Sequence, residues 1–142
     1  MVARVLFQLG SLLFMALGVA HVILMVRDRT RPRYLVPVDD YVRDGMNRTA
    51  LRLTRQTTMW KAWLGFNLSH ALGLVVFGLT SFLIAVYDFD LLLKLQPLLF
   101  LVITVAAIYL LLAIRFWFFG PVVGSAIGLA LFVASAVVAW TR

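Results

Sequence analysis

Four long apolar runs divide the chain, and a mostly polar segment, residues 27–58, separates the first run from the second. The runs cover about residues 5–26, 59–86, 97–118 and 122–140. Each is long enough to cross a bilayer, which takes about 20 residues of helix. Because lipid offers the backbone no hydrogen-bond partners, segments of this kind cross the membrane as helices. The pattern therefore predicts an all-α fold, a four-helix transmembrane bundle.

The segment between runs one and two changes its pattern part of the way along. Pro32 and Pro37 keep its first part out of a helix, because proline lacks an N–H donor and restricts the residue before it. After Asp39 or Asp40, either of which can cap a helix, apolar residues recur at helical spacing and arginines occupy the other faces. We predict a short basic amphipathic helix in the membrane interface, with a solvated connector helix as the alternative. Anionic lipid headgroups would meet the arginines in and after this helix, which are Arg43, Arg48, Arg52 and Arg55.

Prolines and glycines mark the remaining connections between the runs. Residues 87–94 are predicted to form a short turn, and Gly120 with Pro121 a tight break between runs three and four. Pro97 falls in the first turn of run three, where the missing N–H donor does no harm. The connections are therefore predicted to be short, apart from segment 27–58.

Small residues recur at four-residue spacing in two of the runs. Such a row lets two helix backbones approach closely in lipid. It can serve packing inside the bundle or a homo-oligomer, and packing is the favoured interpretation because every small membrane bundle needs close helix contacts. One row consists of Gly120, just before run four, and Gly124 and Gly128 within it, and the other of Gly65, Ser69 and Gly73 in run two.

The composition is typical of an integral membrane protein. Of the 142 residues, 63% are hydrophobic and 13% are charged, and the mean hydropathy is +1.00. Four helices and one loop use the whole length, so residues 1–142 are predicted to form a single membrane domain. Cysteine is absent, which excludes disulfide and thiolate–metal chemistry. All six acidic residues are aspartates outside the apolar runs, so a carboxylate proton relay within the membrane is not expected.

The net charge of +7 comes mainly from one side of the predicted bundle. Segment 27–58 carries eight arginines, and Lys61 and Arg115 lie near the same side, where Arg115 can reach lipid phosphates. Because these residues adjoin membrane spans, anionic lipids are the expected partner and nucleic acid is not. By the positive-inside rule, segment 27–58 is cytoplasmic and both termini lie outside. The first run is longer than a usual signal-peptide core, and we expect it to be retained as a span.

A candidate site lies where polar side chains interrupt the apolar runs. Run two contains Asn67, Ser69 and His70, and run one contains His21. Polar groups at membrane depth are costly to bury alone, so these side chains should face protein or trapped water. The two runs are antiparallel, and the two histidines lie at nearly matched depth in the half nearer the basic segment. We predict that His21 meets the helical turn from Asn67 to His70.

Two glycines predict either close packing or a pocket beside these polar residues. Gly18 precedes His21 by three residues and Gly73 follows His70 by three, so both glycines lie on the membrane-centre side of the histidines. A pocket there would admit a flat cofactor or the head of a lipophilic ligand. Its roof would consist of His21, His70, Asn67 and Trp63.

Three interpretations of these polar residues stay open. They can bond to one another and lock runs one and two together. They can bind a lipid-like or isoprenoid ligand, or a partner subunit. They can hold b-type haem between two histidines, although close-packed glycines argue against the spacing that haem needs. A metal ion is not expected, because no carboxylate or thiolate lies nearby.

Catalysis has less support in the sequence than binding. Ser69 and His70 diverge by about 100° around the helix, so they cannot act as a nucleophile and its base. No phosphate loop, zinc motif or pair of acids appears. We therefore favour a non-catalytic polytopic membrane protein that binds a lipophilic ligand or a partner subunit. The alternative is a membrane enzyme or a haem b electron carrier acting on a lipophilic substrate.

Run two carries the motif Trp-x4-Gly-Phe-Asn-x-Ser-His-x2-Gly, which begins at Trp60. This motif, together with the Gly-x2-His that ends at His21 and with Gly45-Met46 in the polar segment, resembles a family of small bacterial four-span membrane proteins without an assigned activity. The resemblance covers roughly the first 80 residues. It implies a bacterial inner membrane and implies that the glycines, Asn67, Ser69 and the two histidines belong together. It implies no activity.

Overall fold

The computed structural model describes residues 1–141, apart from the side chain of Arg29, and these residues form six α-helices and no β-strand. Four of the helices are long and apolar enough to cross a membrane. The protein is therefore a polytopic membrane protein with the all-α, four-helix transmembrane fold that the apolar runs predict. The helices are α1 (Val2–Thr30), α2 (Asp40–Arg48), α3 (Met59–Tyr87), α4 (Phe89–Lys94), α5 (Gln96–Phe116) and α6 (Phe119–Trp140), of which α1, α3, α5 and α6 are the candidate spans.

The helix predicted in segment 27–58 is α2, and an N-cap residue determines where it begins. Asp39 has an extended backbone and its carboxylate accepts a hydrogen bond from the backbone N–H of Tyr41 at 2.8 Å. This bond satisfies one of the donors that the first turn of a helix leaves without an intrahelical partner. Of the two aspartates that could cap the helix, Asp39 is the one that does.

The connection between α3 and α5 differs from the prediction. The sequence predicts a turn at residues 87–94, but residues 89–94 form the short helix α4. The carboxylate of Asp88 accepts from the backbone N–H of Leu91 at 3.1 Å and so caps this helix. Leu92 is fully buried, which fixes α4 in place by packing.

The break between α5 and α6 also lies earlier than predicted. Trp117 and Phe118 have extended backbones, and α6 begins at Phe119. Gly120 and Pro121 therefore belong to the first turn of a helix and do not interrupt the chain. Proline is tolerated there because the first N–H groups of a helix have no intrahelical acceptor, and Pro97 occupies the same kind of position in α5, as predicted.

The chain divides into two compact units, and α1 and α3 contribute to both. The first unit comprises residues 1–17 and the described residues from 74 onward. Its core is built on aromatic rings: Phe14 stacks on Phe132 with ring centroids 5.8 Å apart, and Phe7 lies 4.8 Å from Phe132. The second unit, residues 18–73, contains α2 and the polar side chains that the sequence singles out.

Within the first unit, the backbones of α1 and α3 lie close together at Gly78. A Cβ atom on Gly78 would lie 2.6 Å from the backbone N of Met15 and 2.6 Å from the carbonyl O of Ser11. A Cβ atom essentially never lies this close to a non-bonded backbone atom, so only glycine permits this approach of the two backbones. Gly78 therefore sets the distance between these two helices.

The predicted rows of small residues serve packing at some positions only. In α6, a Cβ on Gly128 would lie 2.6 Å from the Phe14 ring, and one on Gly124 would lie 2.9 Å from Leu17. Both contacts are within the first unit, which confirms packing at these two glycines. Gly120 meets only Phe118, two residues before it, and nothing lies within 4 Å of a Cβ on Gly65. Gly65 therefore makes no close packing contact inside the bundle, and the homo-oligomer alternative for the row in run two stays a prediction.

In the second unit, one buried carboxylate organises the loop that follows α1. Asp28 is only 8% exposed, and its two oxygens accept hydrogen bonds from three consecutive backbone N–H groups. A buried charge is stable only when it is well solvated by the protein, and three such donors provide that. The donors belong to Arg33 at 3.0 Å, Tyr34 at 3.0 Å and Leu35 at 2.6 Å.

Candidate functional site

The predicted meeting of His21 with residues of α3 is confirmed in the second unit. His21 Nε2 lies 3.1 Å from Asn67 Oδ1, and the ring centroids of His21 and His70 are 5.6 Å apart in an edge-to-face arrangement. Asn67 is fully buried, and both histidines are half-buried. We call these three residues the polar cluster. Burial of an amide is tolerated because each end of the side chain has a partner.

The orientation of the Asn67 amide determines the tautomer of His21. Asn67 Nδ2 donates to the backbone carbonyl of Trp63, one turn earlier, at 2.8 Å. The amide oxygen therefore points to His21, and a carbonyl oxygen only accepts hydrogen bonds. The hydrogen in this contact is consequently carried by His21 Nε2, which donates to Asn67 Oδ1.

Ser69 does not belong to the polar cluster, and the prediction that it faces protein or trapped water is not met by a contact within this chain. Its side chain is exposed, and its Oγ donates to the backbone carbonyl of Phe66 at 2.9 Å. A serine hydroxyl can satisfy itself on the preceding turn of its own helix, so it can face lipid at little cost. Asparagine and histidine have more polar atoms than the helix backbone can satisfy, which is why Asn67 and His21 pair instead.

Trp63, Gly18 and Gly73, which the sequence also assigns to the site, are not members of the polar cluster. Trp63 is 36% exposed, and its indole N–H donates to the backbone carbonyl of Leu35 at 3.2 Å, so it holds the loop after α1. Gly18 is buried and Gly73 is half-buried, both at the membrane-centre end of the second unit.

A cavity of about 320 Å³ lies in the second unit, on the loop side of the polar cluster. Met25 stands one turn after His21 in α1, and Leu64 stands one turn before Asn67 in α3, so the cavity begins where the polar cluster ends. The pocket predicted from Gly18 and Gly73 would have been on the opposite side of the histidines. The cavity is lined by Met25, Asp28, Pro32, Leu35, Val36, Arg43, Asn47, Trp60 and Leu64.

The cavity wall changes from apolar and buried to polar and exposed. Met25 is buried, Arg43 is half-buried and Asn47 is exposed. Arg43 Nη2 forms an ion pair with Asp40 Oδ1 at 3.0 Å, and the Asp40 side chain is 83% exposed. An exposed pair of this kind contributes at most about 1 kcal/mol, so another anion can compete for Arg43.

The other arginines that the sequence assigns to lipid headgroups lie on the surface. Arg115 is exposed, and its guanidinium carbon lies 5.5 Å from the centroid of the Phe116 ring. Exposure leaves each of these long side chains able to extend to a lipid phosphate. The arginines exposed in the polar segment are Arg48, Arg52 and Arg55.

Sequence reasoning missed Asp28, Asn47 and the cavity itself. One signal pointed to Asp28: it is the single acid in a run of four arginines, just before a proline-interrupted loop whose N–H groups need acceptors. Asn47 had no such signal, because an asparagine on a short polar helix is usually solvated. The cavity depends on how the loop returns to α3, which no sequence spacing specifies.

Replacing Asn67 with Leu is expected to lower the free energy of unfolding by about 1 kcal/mol. Two side-chain hydrogen bonds are lost, and each contributes about 0.6 kcal/mol inside membrane proteins. Ser69→Ala, two residues away and exposed, should change stability by less than about 0.5 kcal/mol. SDS titration followed by circular dichroism measures both. Equal losses in the two variants would contradict the assignment of Asn67 to the polar cluster.

The hydrogen bonds of the polar cluster are made within the protein, and none of its three residues lines the cavity. Across residues 1–141, no group of three or more His, Cys, Asp or Glu side chains is close enough to hold a metal ion. Comparison of the chain with protein-family models, with curated proteins and with solved structures finds no match.

Proposed function

We propose that this protein is a non-catalytic membrane protein that binds a lipophilic ligand in its second unit, residues 18–73. The cavity beside the polar cluster is the observation that supports this function. Its volume of about 320 Å³ lies within the range of about 300–1,000 Å³ that is typical of small-molecule sites, and most of its wall is apolar. The polar cluster supports the site by holding α1 against α3 at the edge of the cavity.

The same proposal includes the membrane and the orientation. The resemblance of the motif in α3 to small bacterial membrane proteins favours a bacterial inner membrane. The basic residues between α1 and α3 favour a cytoplasmic loop with both termini outside. In that orientation α2 lies in the interface, where its exposed arginines and Arg115 meet anionic headgroups.

The ligand is tested by filling the cavity. Leu64→Trp places an indole among the residues that line it, whereas Leu68→Trp makes the same change at an exposed position one turn along α3. Mass spectrometry of protein in mild detergent should find a lipophilic molecule retained by the parent protein and by Leu68→Trp, and at least tenfold less in Leu64→Trp. Equal retention by both variants, or none by the parent protein, would overturn the proposal and leave the polar cluster with a packing role.

The facing histidines favour a second candidate, an electron carrier with b-type haem. The pair fits haem poorly, because His21 Nε2 donates its hydrogen to Asn67 and a protonated nitrogen cannot bind iron. A Soret band in protein purified from haem-supplied cells, lost in His70→Ala, would establish this candidate against the preferred one. Absence of that band in the parent protein would leave the lipophilic-ligand proposal in place.

A further inference from the structure

The lining of the cavity combines apolar and polar side chains, as an amphiphile combines a chain and a head. Its apolar end is defined here by Met25 on α1 and Leu64 on α3, each one turn from a residue of the polar cluster, and Met25 is buried. Its polar end is defined by Arg43 and Asn47, both on α2, of which Asn47 is exposed. A ligand with a polar head and an apolar chain would therefore satisfy both ends in one orientation only.

The polar end has unused capacity to donate hydrogen bonds to an anion. A guanidinium carries five N–H donors in a planar fork that matches phosphate oxygens, and Arg43 shares only one nitrogen with the exposed Asp40. Asn47 donates through Nδ2 to the carbonyl of Arg43 at 3.1 Å, and an amide carries a second N–H. The two residues are four apart on α2, so both reach the same side of that helix.

The acid in the cavity wall opposes a bound anion less than a bare carboxylate would. The Asp28 carboxylate keeps its negative charge but accepts three backbone hydrogen bonds, whose dipoles offset part of its field. The stretch from Arg27 to Lys61 contains nine basic and four acidic residues, so the surroundings of the cavity are positive on balance. An anionic head is therefore favoured at Arg43 over a cationic or zwitterionic one.

From these observations we infer that the ligand is an anionic phospholipid, with its phosphate bound by Arg43 and Asn47 and the start of an acyl chain against Met25 and Leu64. This inference rests on the proposed function, because it names the class of ligand for the same cavity. Inorganic phosphate supplies the same head chemistry but would leave the apolar end unfilled. Competition between the two sources is therefore part of the test.

The test uses native mass spectrometry of the full chain in micelles that contain equal amounts of phosphatidylglycerol and phosphatidylcholine. The parent protein should retain one phosphatidylglycerol in preference to phosphatidylcholine, and Arg43→Gln should reduce that retention at least tenfold. Lys61→Gln removes the same charge from an exposed residue that does not line the cavity, and it should retain the lipid. Inorganic phosphate at millimolar concentration should not displace the lipid.

The outcomes separate the inference from the proposed function. Equal loss in Arg43→Gln and Lys61→Gln would show that net charge alone holds the lipid and would overturn the inference, as would displacement by inorganic phosphate. Retention of a neutral lipophilic molecule that Leu64→Trp abolishes would overturn the anionic head and leave the proposed function standing. Retention of nothing by the parent protein would overturn both. Circular dichroism and gel filtration of Arg43→Gln exclude unfolding as the cause of the lost lipid. Arg43→Lys keeps the charge without the planar fork, so it should retain an amount of lipid between those of the parent protein and Arg43→Gln.

Discussion

Gly78→Ala is expected to lower the free energy of unfolding by about 3 kcal/mol, the upper part of the range for overpacked cores. The new Cβ would lie 2.6 Å from the backbone N of Met15 and 2.6 Å from the carbonyl O of Ser11. Backbone atoms in the middle of a helix cannot move aside as a side chain can, so α1 and α3 would have to separate within the first unit. SDS titration followed by circular dichroism measures the loss.

Gly65→Ala is the matched control for this prediction. It makes the same change in the same helix, but nothing lies within 4 Å of the added Cβ. Since alanine is a better helix former than glycine by about 1 kcal/mol, Gly65→Ala should leave stability unchanged or raise it by up to that amount. If Gly78→Ala were as stable as Gly65→Ala, the close approach of α1 and α3 at Gly78 would be refuted.

Asp28→Ala is expected to cost about 3 kcal/mol and to release the loop after α1. Three backbone N–H groups lose their acceptor together, and hydrogen bonds to charged groups contribute about 1.5–3 kcal/mol each, of which water restores a part. The released loop contains Arg33, after which trypsin cleaves. We therefore expect limited trypsin digestion after Arg33 to be at least tenfold faster in the variant. Mass spectrometry of the fragments identifies the cleavage site.

Asp44→Ala separates this effect from the change in charge. Asp44 lies on α2 and is exposed, and its substitution removes the same single negative charge. Its stability should stay within about 0.5 kcal/mol of the parent protein, as for other surface substitutions. Its rate of cleavage after Arg33 should also be unchanged. A faster cleavage in both variants would mean that charge balance, and not the Asp28 hydrogen bonds, orders this loop.

The membrane spans and the meeting of His21 with Asn67 were predictable from the sequence for the same reason. An apolar helix is stable in hydrocarbon because its backbone N–H and C=O groups bond to one another. The length of an apolar run therefore predicts the bounds of a span within a few residues. An amide or imidazole without a hydrogen-bond partner is costly to bury in hydrocarbon. Two such groups at matched depth on antiparallel helices are therefore expected to pair. A cap at Asp39 or Asp40 was predictable because the chemistry of a cap is local, and the structure shows that it is Asp39.

The remaining features depend on contacts that spacing along the chain does not reveal. Ser69 and Asn67 look alike in the sequence, yet a hydroxyl can be satisfied on its own helix and a whole carboxamide cannot. Gly65 and Gly78 also look alike in the sequence, yet a Cβ would meet the backbone of α1 at Gly78 and nothing within 4 Å at Gly65. The cavity also depends on the contact between the loop after α1 and α3, where Trp63 donates to the carbonyl of Leu35, 28 residues earlier in the chain.

The separation of the two units along the chain has a consequence for synthesis. The second unit is contiguous, whereas the first joins residues 1–17 to residues beyond 73, and Ser135 Oγ donates to the carbonyl of Ala3 across 132 positions. Residues 18–73 are therefore all synthesised before α5 begins at Gln96, so the second unit has its complete sequence while translation continues. A polypeptide that ended before α5 would contain every residue that lines the cavity but would lack Phe132, against which Phe7 and Phe14 pack in the first unit.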